Sequence, residues 1–192
     1  KKMDEKLKYY VAGSIFSDLG NLTSEQRCFE KGLKLAEKDN VIFYQAQFLQ
    51  KLGGLNRKKG EFQEALKFYE KAHELNIAAG NDYSEDYNQM AVVKTELEDL
   101  DDALALLEKA LEFSDNKPKQ IAIYLNNIGE IYRTKGDFER ALENFKEALK
   151  IIESIGGFEV KLNLLNQIGV IHHAKKEYVL ALKNYQEAVD MA

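Results

Sequence analysis

One charged segment recurs along this chain, and its recurrence constrains the fold more than any other feature. KGDFERALENFKEAL, at residues 135–149, has counterparts at residues 58–75, 97–113 and 175–191. An alanine holds the same place in each copy, with successive spacings of 38, 38 and 40 residues: Ala65, Ala103, Ala141 and Ala181. A period of this length indicates similar units that stack on one another.

A second block precedes each copy and reads FLQKLGGLNR, YNQMAVVKTE, YLNNIGEIYR and LLNQIGVIHH. A small residue lies 12 positions before each alanine, at Gly53, Ala91, Gly129 and Gly169. A weaker fifth copy opens the chain, with Gly13 at the small position and Phe29 in the column of Phe145. Only Glu25 breaks the alanine column. The units predicted from these columns span approximately residues 6–39, 46–79, 84–117, 122–155 and 162–192.

Each unit has the periodicity of two helices, which we call the first and the second helix. In the fourth unit, one apolar face of each helix is formed at spacings of three and four by Leu125, Ile128, Ile131 and Tyr132, and then by Phe138, Ala141, Leu142, Phe145, Ala148 and Leu149. Gly136 is expected to end the first helix, and Asp137 to cap the second. Pro118 falls in the first turn of a helix, where proline is tolerated.

These columns resemble the tetratricopeptide repeat (TPR), and the resemblance covers nearly the whole chain. The columns that carry it are Leu125, Ile128, Gly129, Tyr132, Gly136, Phe138, Ala141, Phe145 and Ala148. The period exceeds the usual length of about 34 residues, so the repeats are similar to those of kinesin light chains, Rap-type regulators and other bacterial regulators. The resemblance implies an all-α fold, a right-handed α-α superhelix (solenoid) of about five helix pairs in a single array.

Composition and charge narrow the function classes. The 192 residues carry a net charge of −5, which disfavours direct binding of nucleic acid. The sequence has no run of 18 apolar residues, so we expect no membrane contact. Its single cysteine, Cys28, suits a reducing compartment, and we expect a cytoplasmic location.

The sequence shows no motif for catalysis or for a cofactor. HExxH, CxxC, GxSxG and a glycine-rich phosphate loop are absent, so we expect neither an enzyme, nor a cofactor, nor a metal. His172 and His173 diverge on a helix, so they do not suit one metal ion. By column, His172 replaces a core tyrosine and His173 points into the groove. His73 is predicted to point outward, and Cys28 to fill a half-buried site. Asp101 is expected to serve as a cap in a solvated acidic turn.

In a superhelix of this kind the first helices line the concave groove. Two groove columns lie three and two residues before each small residue. They contain Tyr10, Gln50, Asn88, Asn126 and Asn166, and Val11, Lys51, Gln89, Asn127 and Gln167. Seven of these ten residues are Asn or Gln, and amides can satisfy the backbone N–H and C=O groups of a bound peptide. The resemblance implies this use, since kinesin light chains use such a column. The amides could instead hydrate the groove or brace neighbouring helices, and both interpretations stay open.

The other groove columns are mixed in charge. Lys51, Arg57 and Lys58 form a basic spot, whereas Glu130 and Arg133 would either meet a ligand or pair with each other. The Lys and Asn columns that hold chaperone tails in related repeats are matched only at Asn127, which disfavours that partner. The predicted peptide-binding residues are therefore Gln50, Lys51, Arg57, Asn88, Gln89, Asn126, Asn127, Glu130, Arg133, Asn166, Gln167 and His173.

Two functions are consistent with these features. The first is a non-enzymatic scaffold that binds a peptide or a partner helix in the groove. The second is a sensory or regulatory segment of a larger signalling protein, such as a kinase, transcription regulator or cyclase, acting through its open ends. Neither end has an obvious polar capping helix, so further repeats, another domain or a second copy of the chain would cover it.

Overall fold

The computed structural model describes residues 4–81, 83–114 and 116–191, which form ten α-helices and no strand. The helices are α1 (Glu5–Asp18), α2 (Leu22–Lys38), α3 (Ile42–Lys58), α4 (Phe62–Ala78), α5 (Ser84–Glu96), α6 (Leu100–Glu112), α7 (Pro118–Thr134), α8 (Phe138–Ile155), α9 (Phe158–Ala174) and α10 (Tyr178–Asp190). The predicted all-α helical-repeat class is confirmed. Of the helices in these ranges, none combines the length and apolar character that crossing a bilayer requires.

The chain divides into two compact units, residues 1–99 and residues 100–192. Unit 1 contains α1 to α5, and unit 2 contains α6 to α10. The boundary falls in the short turn between α5 and α6, which are the two helices of the third predicted repeat. The limits of the five repeats and their union in a single array stay predictions.

Helix pairs pack closely because a glycine on the first helix faces an aromatic ring on the second. A Cβ atom added to Gly129 would lie 2.6 Å from the ring of Phe145, and one added to Gly169 would lie 2.5 Å from Tyr185. In unit 1 the same relation joins Gly13 to Phe29. Any side chain larger than hydrogen would force the ring away, so these glycines set the distance between the helices. The predicted small-residue column is confirmed.

The local signals at the helix ends also match the sequence. Gly136 follows α7 with a φ of 78°, the left-handed conformation that glycine adopts without strain. The Asp137 carboxylate accepts a hydrogen bond from the backbone N–H of Arg140 at 3.1 Å and so caps α8. Pro118 is the first residue of α7. The prediction that Asp101 caps a helix is wrong, because α6 begins at Leu100 and Asp101 lies inside its first turn.

Each unit has its own hydrophobic core. In unit 2 the core is formed between α7, α8 and α9 around the buried ring of Phe145, together with Leu125, Ile152, Leu164 and Ile168. In unit 1, Phe29 and Phe48 are buried with Leu52, and the two rings lie 6.4 Å apart. The charged residues of the second helix in the fourth repeat are exposed, as their positions predict: Glu139, Arg140, Glu143, Lys146 and Glu147.

Candidate functional site

Unit 1 contains a cavity of about 380 Å³, which we call the unit 1 cavity. All five helices of the unit contribute to its wall. Its lining residues are Tyr10, Ser14, Ser17, Asp18, Glu25, Phe29, Gln50, Lys51, Gly54, Leu55, Lys58, Tyr69, Glu85 and Gln89. Three of the predicted groove residues, Gln50, Lys51 and Gln89, therefore come together here, whereas Arg57 and Asn88 lie outside this wall.

The predicted amides of unit 1 make hydrogen bonds within the protein. The side-chain nitrogen of Gln50 on α3 donates to Asp86 Oδ1 on α5 at 2.5 Å. Asn88 and Gln89 donate to Glu85 Oε1, one turn earlier on α5, at 3.2 Å and 2.5 Å. Gln50 thus braces two first helices, which is the alternative role that the sequence left open.

Asp86 is fully buried and anchors a polar cluster between α4 and α5. Its Oδ2 atom accepts a hydrogen bond from the side chain of Asn76 at 2.8 Å, and His73 Nδ1 lies 3.6 Å from the same oxygen. The prediction that His73 points outward is wrong: its ring packs 4.4 Å from that of Tyr87, measured between centroids. Sequence reasoning missed the cluster because His73 and Asp86 lie on different helices.

The predicted basic spot is partly neutralised by neighbouring groups. Arg57 forms an ion pair with Glu96 at 3.8 Å, and it lies beside Tyr69. Burial raises the pKa of the Tyr69 hydroxyl, while the positive charge of Arg57 opposes that rise. The ammonium group of Lys51 lies 5.2 Å from the centre of the Tyr10 ring, within the range of a cation–π contact.

In unit 2 the predicted residues lie on α7 and α9. Asn126 is half-buried, and its side-chain nitrogen donates to the side-chain oxygen Oδ1 of Asn127 at 3.4 Å. Asn126 also lines a smaller cavity of about 230 Å³ together with Ile123, Glu159, Val160 and Asn163. Asn166 is exposed, and Gln167 is half-buried.

Glu130 and Arg133 pair with each other on α7. Both Nε and Nη2 of Arg133 donate to Glu130 Oε2, at 3.0 Å and 2.7 Å. Of the two roles that the sequence allowed for these residues, the structure shows the internal ion pair. A partner that used either charge would have to compete with this contact.

On α9, His172 takes the core position that the sequence predicts, and the groove position of His173 stays a prediction. His172 is buried, and its Nδ1 lies 2.5 Å from Glu177 Oε2. His173 is exposed, and its ring centre lies 5.6 Å from that of Tyr178. Cys28 is half-buried, as expected. Among the residues that the structure describes, no three His, Cys, Asp or Glu side chains come together as a metal-binding group.

Glu25 is the wall residue of the unit 1 cavity whose importance the sequence did not reveal. In the repeat alignment it appears only as a break in the alanine column. In the structure it is 3% exposed, so a carboxyl group replaces a buried methyl group. A charged residue in an otherwise apolar column is a signal that could have identified it, because such a group is costly to bury without a partner.

Comparison with known proteins gives a family for most of the chain. Two family models, both described as Tetratricopeptide repeat, match it: one at residues 44–116 and 120–192, the other at residues 9–39. A curated relative, the 43 kDa receptor-associated protein of the synapse from Tetronarce californica, is 26% identical over 152 residues. That match covers 75% of this chain and 37% of the relative, so the chain spans little more than a third of the relative's length.

Solved structures show the same fold at low sequence identity. The crystal structure of a Rap protein complexed with competence and sporulation factor matches with a TM-score of 0.85 and 19% identity, covering 98% of this chain and 54% of that one. A Podosopora anserina kinesin light chain with nearly identical TPR-like repeats matches with a TM-score of 0.75 and 12% identity, covering 99% and 97%. The resemblance to long-period repeats of these two kinds is confirmed.

Proposed function

Because the chain belongs to the tetratricopeptide repeat family, we propose that it is a non-enzymatic interaction module that binds a peptide or a partner helix. Binding would occur on the first helices, through their Asn and Gln side chains. The observation that carries this proposal is the presence of Asn126, Asn127, Asn166 and Gln167 at the same two columns of α7 and α9. An amide can donate to a backbone carbonyl and accept from a backbone N–H of the same peptide.

The relatives support a binding role of this class. One is named as a receptor-associated protein, and the Rap structure is that of a complex with competence and sporulation factor. Repeat arrays of stacked helix pairs present extended surfaces that suit such partners. The identity of the partner is not carried over, since this chain spans 37% of the first protein and 54% of the second.

The two units offer different amounts of amide surface. In unit 1, Gln50 donates to buried Asp86, so its role includes holding α3 against α5. In unit 2, Asn166 is exposed on α9. We therefore assign the larger share of peptide contact to α7 and α9, and a smaller share to Lys51, Asn88 and Gln89 on α3 and α5.

A peptide selection followed by calorimetry tests the proposal. A random dodecapeptide library is selected on the wild-type chain, and the affinity of the selected peptides is measured for wild type, for the N126A/N127A/N166A variant and for N88A. We expect the triple variant to bind at least about tenfold more weakly, because two or three hydrogen bonds of about 0.5–1.5 kcal/mol each are lost. N88A should weaken binding less.

The matched control is Asn184→Ala on the second helix α10. Asn184 is half-buried and donates to the Leu180 carbonyl within its own helix. This variant should bind the selected peptides as wild type does. Circular dichroism spectra check that each variant keeps its helices. A library that yields no binder, or binders that are insensitive to the triple substitution, would contradict the proposal.

A second candidate function is a regulatory segment of a larger signalling protein. The observation that favours it is the apolar face of α10, where Val179 is 83% exposed and Leu182 and Val189 are each 67% exposed. A face of this kind is typical of surfaces that another helix covers. The sequence of the full-length gene tests this second function. A flanking kinase, DNA-binding or cyclase domain would support it, and a gene encoding repeats alone would exclude it.

A further inference from the structure

The first helix pair buries a carboxyl group at a position where the other four helix pairs bury the methyl group of an alanine. Glu25 is the fourth residue of α2, and its column contains Ala65, Ala103, Ala141 and Ala181. Those alanines are at most 2% exposed, and Glu25 is 3% exposed. Burial of a carboxylate costs several kcal/mol by order of magnitude unless charge and hydrogen bonds compensate it. The substitution therefore needs a physical explanation.

Contacts within unit 1 compensate Glu25 only in part. The nearest ammonium group belongs to Lys58 on α3, whose Nζ lies 3.7 Å from Oε1, beyond hydrogen-bond distance. That ammonium donates instead to the hydroxyl of Ser17 at 2.7 Å, and the Lys58 side chain is 47% exposed. Oε2 of Glu25 is buried and accepts no hydrogen bond from the part of the chain that the structure describes. The N-terminal turn of α2 favours a negative charge, but it supplies no hydrogen bond to Oε2.

The unit 1 cavity gives this carboxylate a place to meet a ligand. Its volume of about 380 Å³ lies in the lower part of the range of ligand sites, about 300–1,000 Å³. The wall also includes Tyr10, Phe29 and Tyr69, of which Phe29 and Tyr69 are only 1% and 2% exposed. A mostly buried wall lowers the local dielectric constant and so strengthens the attraction between the Glu25 carboxylate and an incoming guanidinium or ammonium group.

The charges of the wall favour a cation over an anion. Three carboxyl groups line the cavity, from Asp18, Glu25 and Glu85, against the two ammonium groups of Lys51 and Lys58. Lys51 is exposed, whereas Glu25 is buried, so the charge that lacks compensation is negative. An incoming cation could replace the distant ammonium of Lys58, which would turn towards solvent.

We propose that the unit 1 cavity binds a cationic group, with Glu25 as its anionic partner, and that this group is the basic side chain of a bound peptide. Guanidinium fits best, since its planar N–H groups match the two oxygens of a carboxylate in a bidentate pair. The proposal of a cation site rests on the unit 1 cavity and on buried Glu25, and does not depend on the proposed function. Its assignment to a peptide rests on the proposed interaction function.

A titration with small probes tests the site without any peptide partner. N-acetylarginine amide and its neutral counterpart N-acetylcitrulline amide are titrated into the ¹⁵N-labelled chain, and backbone NMR shifts give the dissociation constants. The variants are E25Q, which keeps the shape of the side chain, and E25A, which installs the residue found in the other repeats. Glu64→Gln on the exposed surface of α4 is the control.

We expect N-acetylarginine amide to bind at residues around the cavity, and the citrulline probe to bind at least about tenfold more weakly. E25Q and E25A should each weaken arginine binding at least about tenfold, and E64Q should leave it unchanged. Lys58→Met should strengthen binding, because it removes the competing cation. Equal binding of the two probes, wild-type binding by both Glu25 variants, or weaker binding by K58M would each overturn the proposal.

A second experiment, with peptides, distinguishes failure of the cation site from failure of the proposed interaction function. Arginine residues of a library-selected peptide are replaced one at a time by citrulline, and one replacement should weaken binding to wild type but not to E25Q. If the arginine probe binds through Glu25 while no selected peptide binds, the cation site stands and the interaction function fails. If selected peptides bind through the amides and ignore citrulline replacement and E25Q, the function stands and the site fails.

Discussion

Units 1 and 2 share their packing columns and differ in what they bury beside them. Gly13 faces Phe29 in unit 1 as Gly129 faces Phe145 in unit 2. Unit 1 also buries Glu25 in the alanine column, and it buries Asp86 in the column that contains Tyr124 in unit 2. Both exceptions bury a carboxyl group at positions where unit 2 buries an alanine or a tyrosine. The repeat fold thus tolerates single buried carboxyl groups in its core while the glycine–aromatic contacts are kept.

The largest effect should come from removing an aromatic ring of the shared column. Phe145→Ala is expected to lower the free energy of unfolding of unit 2 by about 3–5 kcal/mol, because the ring is fully buried and leaves a hole against Gly129. Phe29→Ala should lower the free energy of unfolding of unit 1 by about 3 kcal/mol, the lower end of that range, because the Phe29 ring already borders a cavity. Urea denaturation followed by circular dichroism measures both.

Phe43 provides the control, since its side chain is 56% exposed on α3. Phe43→Ala should change the unfolding free energy by less than about 1 kcal/mol. A loss at Phe43 as large as that at Phe145 would contradict the view that the shared columns carry the stability of each unit.

A smaller effect should distinguish the amides of the two units. Gln50→Ala is expected to destabilise unit 1 by about 1–3 kcal/mol, because it leaves the buried Asp86 carboxylate without one of its donors. Asn166→Ala, at the same column of unit 2, should change stability by no more than about 0.5 kcal/mol, because Asn166 is exposed. Urea midpoints of the two variants give the comparison, and equal losses would show that Gln50 does not brace α3 against α5.

The smallest effect concerns two helix caps that differ in charge. α2 is capped by neutral Asn21 and α8 by Asp137, each accepting a hydrogen bond from a backbone N–H. The backbone N–H of Arg140, which donates to the Asp137 carboxylate, lowers its pKa below the ordinary value of 3.8. A lowered folded-state pKa contributes stability above pH 3.8, and that stability is lost as pH falls through the folded pKa.

Exchanging the two caps should therefore exchange the pH dependence. D137N should lower the urea midpoint of unit 2 at pH 7, and the gap to wild type should narrow as the pH falls below 3.8 towards the folded-state pKa of Asp137. N21D should raise the midpoint of unit 1 at pH 7, and that gain should shrink as acid protonates the new carboxylate. If D137N keeps the full acid sensitivity of wild type, the charge of Asp137 does not contribute in this way.

The sequence predicts the repeated part of this structure well, because packing repeats. Gly129 opposite Phe145, Gly136 at the end of α7 and Asp137 at the start of α8 all follow from column position. Each depends on local backbone geometry or on a neighbour within the same helix pair. These contacts recur at a fixed period, so one copy predicts the others.

The polar contacts of Gln50, His73 and Glu25 could not be predicted in this way, because each of them occurs once. The bond from Gln50 to Asp86 joins residues 36 positions apart, and nothing in either helix alone specifies it. The sequence places His73 at the surface because its partners, Asp86 and Tyr87, come from the following helix. Glu25 is only an irregularity of one column in the sequence, and its burial depends on the helices that pack around it.

The wall of the unit 1 cavity draws on every helix of that unit, and this has a thermodynamic consequence. Tyr10, Glu25, Gln50, Tyr69 and Gln89 come from α1, α2, α3, α4 and α5 respectively. Such a wall exists only when all five helices are folded together. An occupant that binds only the folded wall therefore stabilises unit 1 as a whole, by an amount that grows with its concentration relative to its dissociation constant, and it would couple the five helices into one cooperative unit.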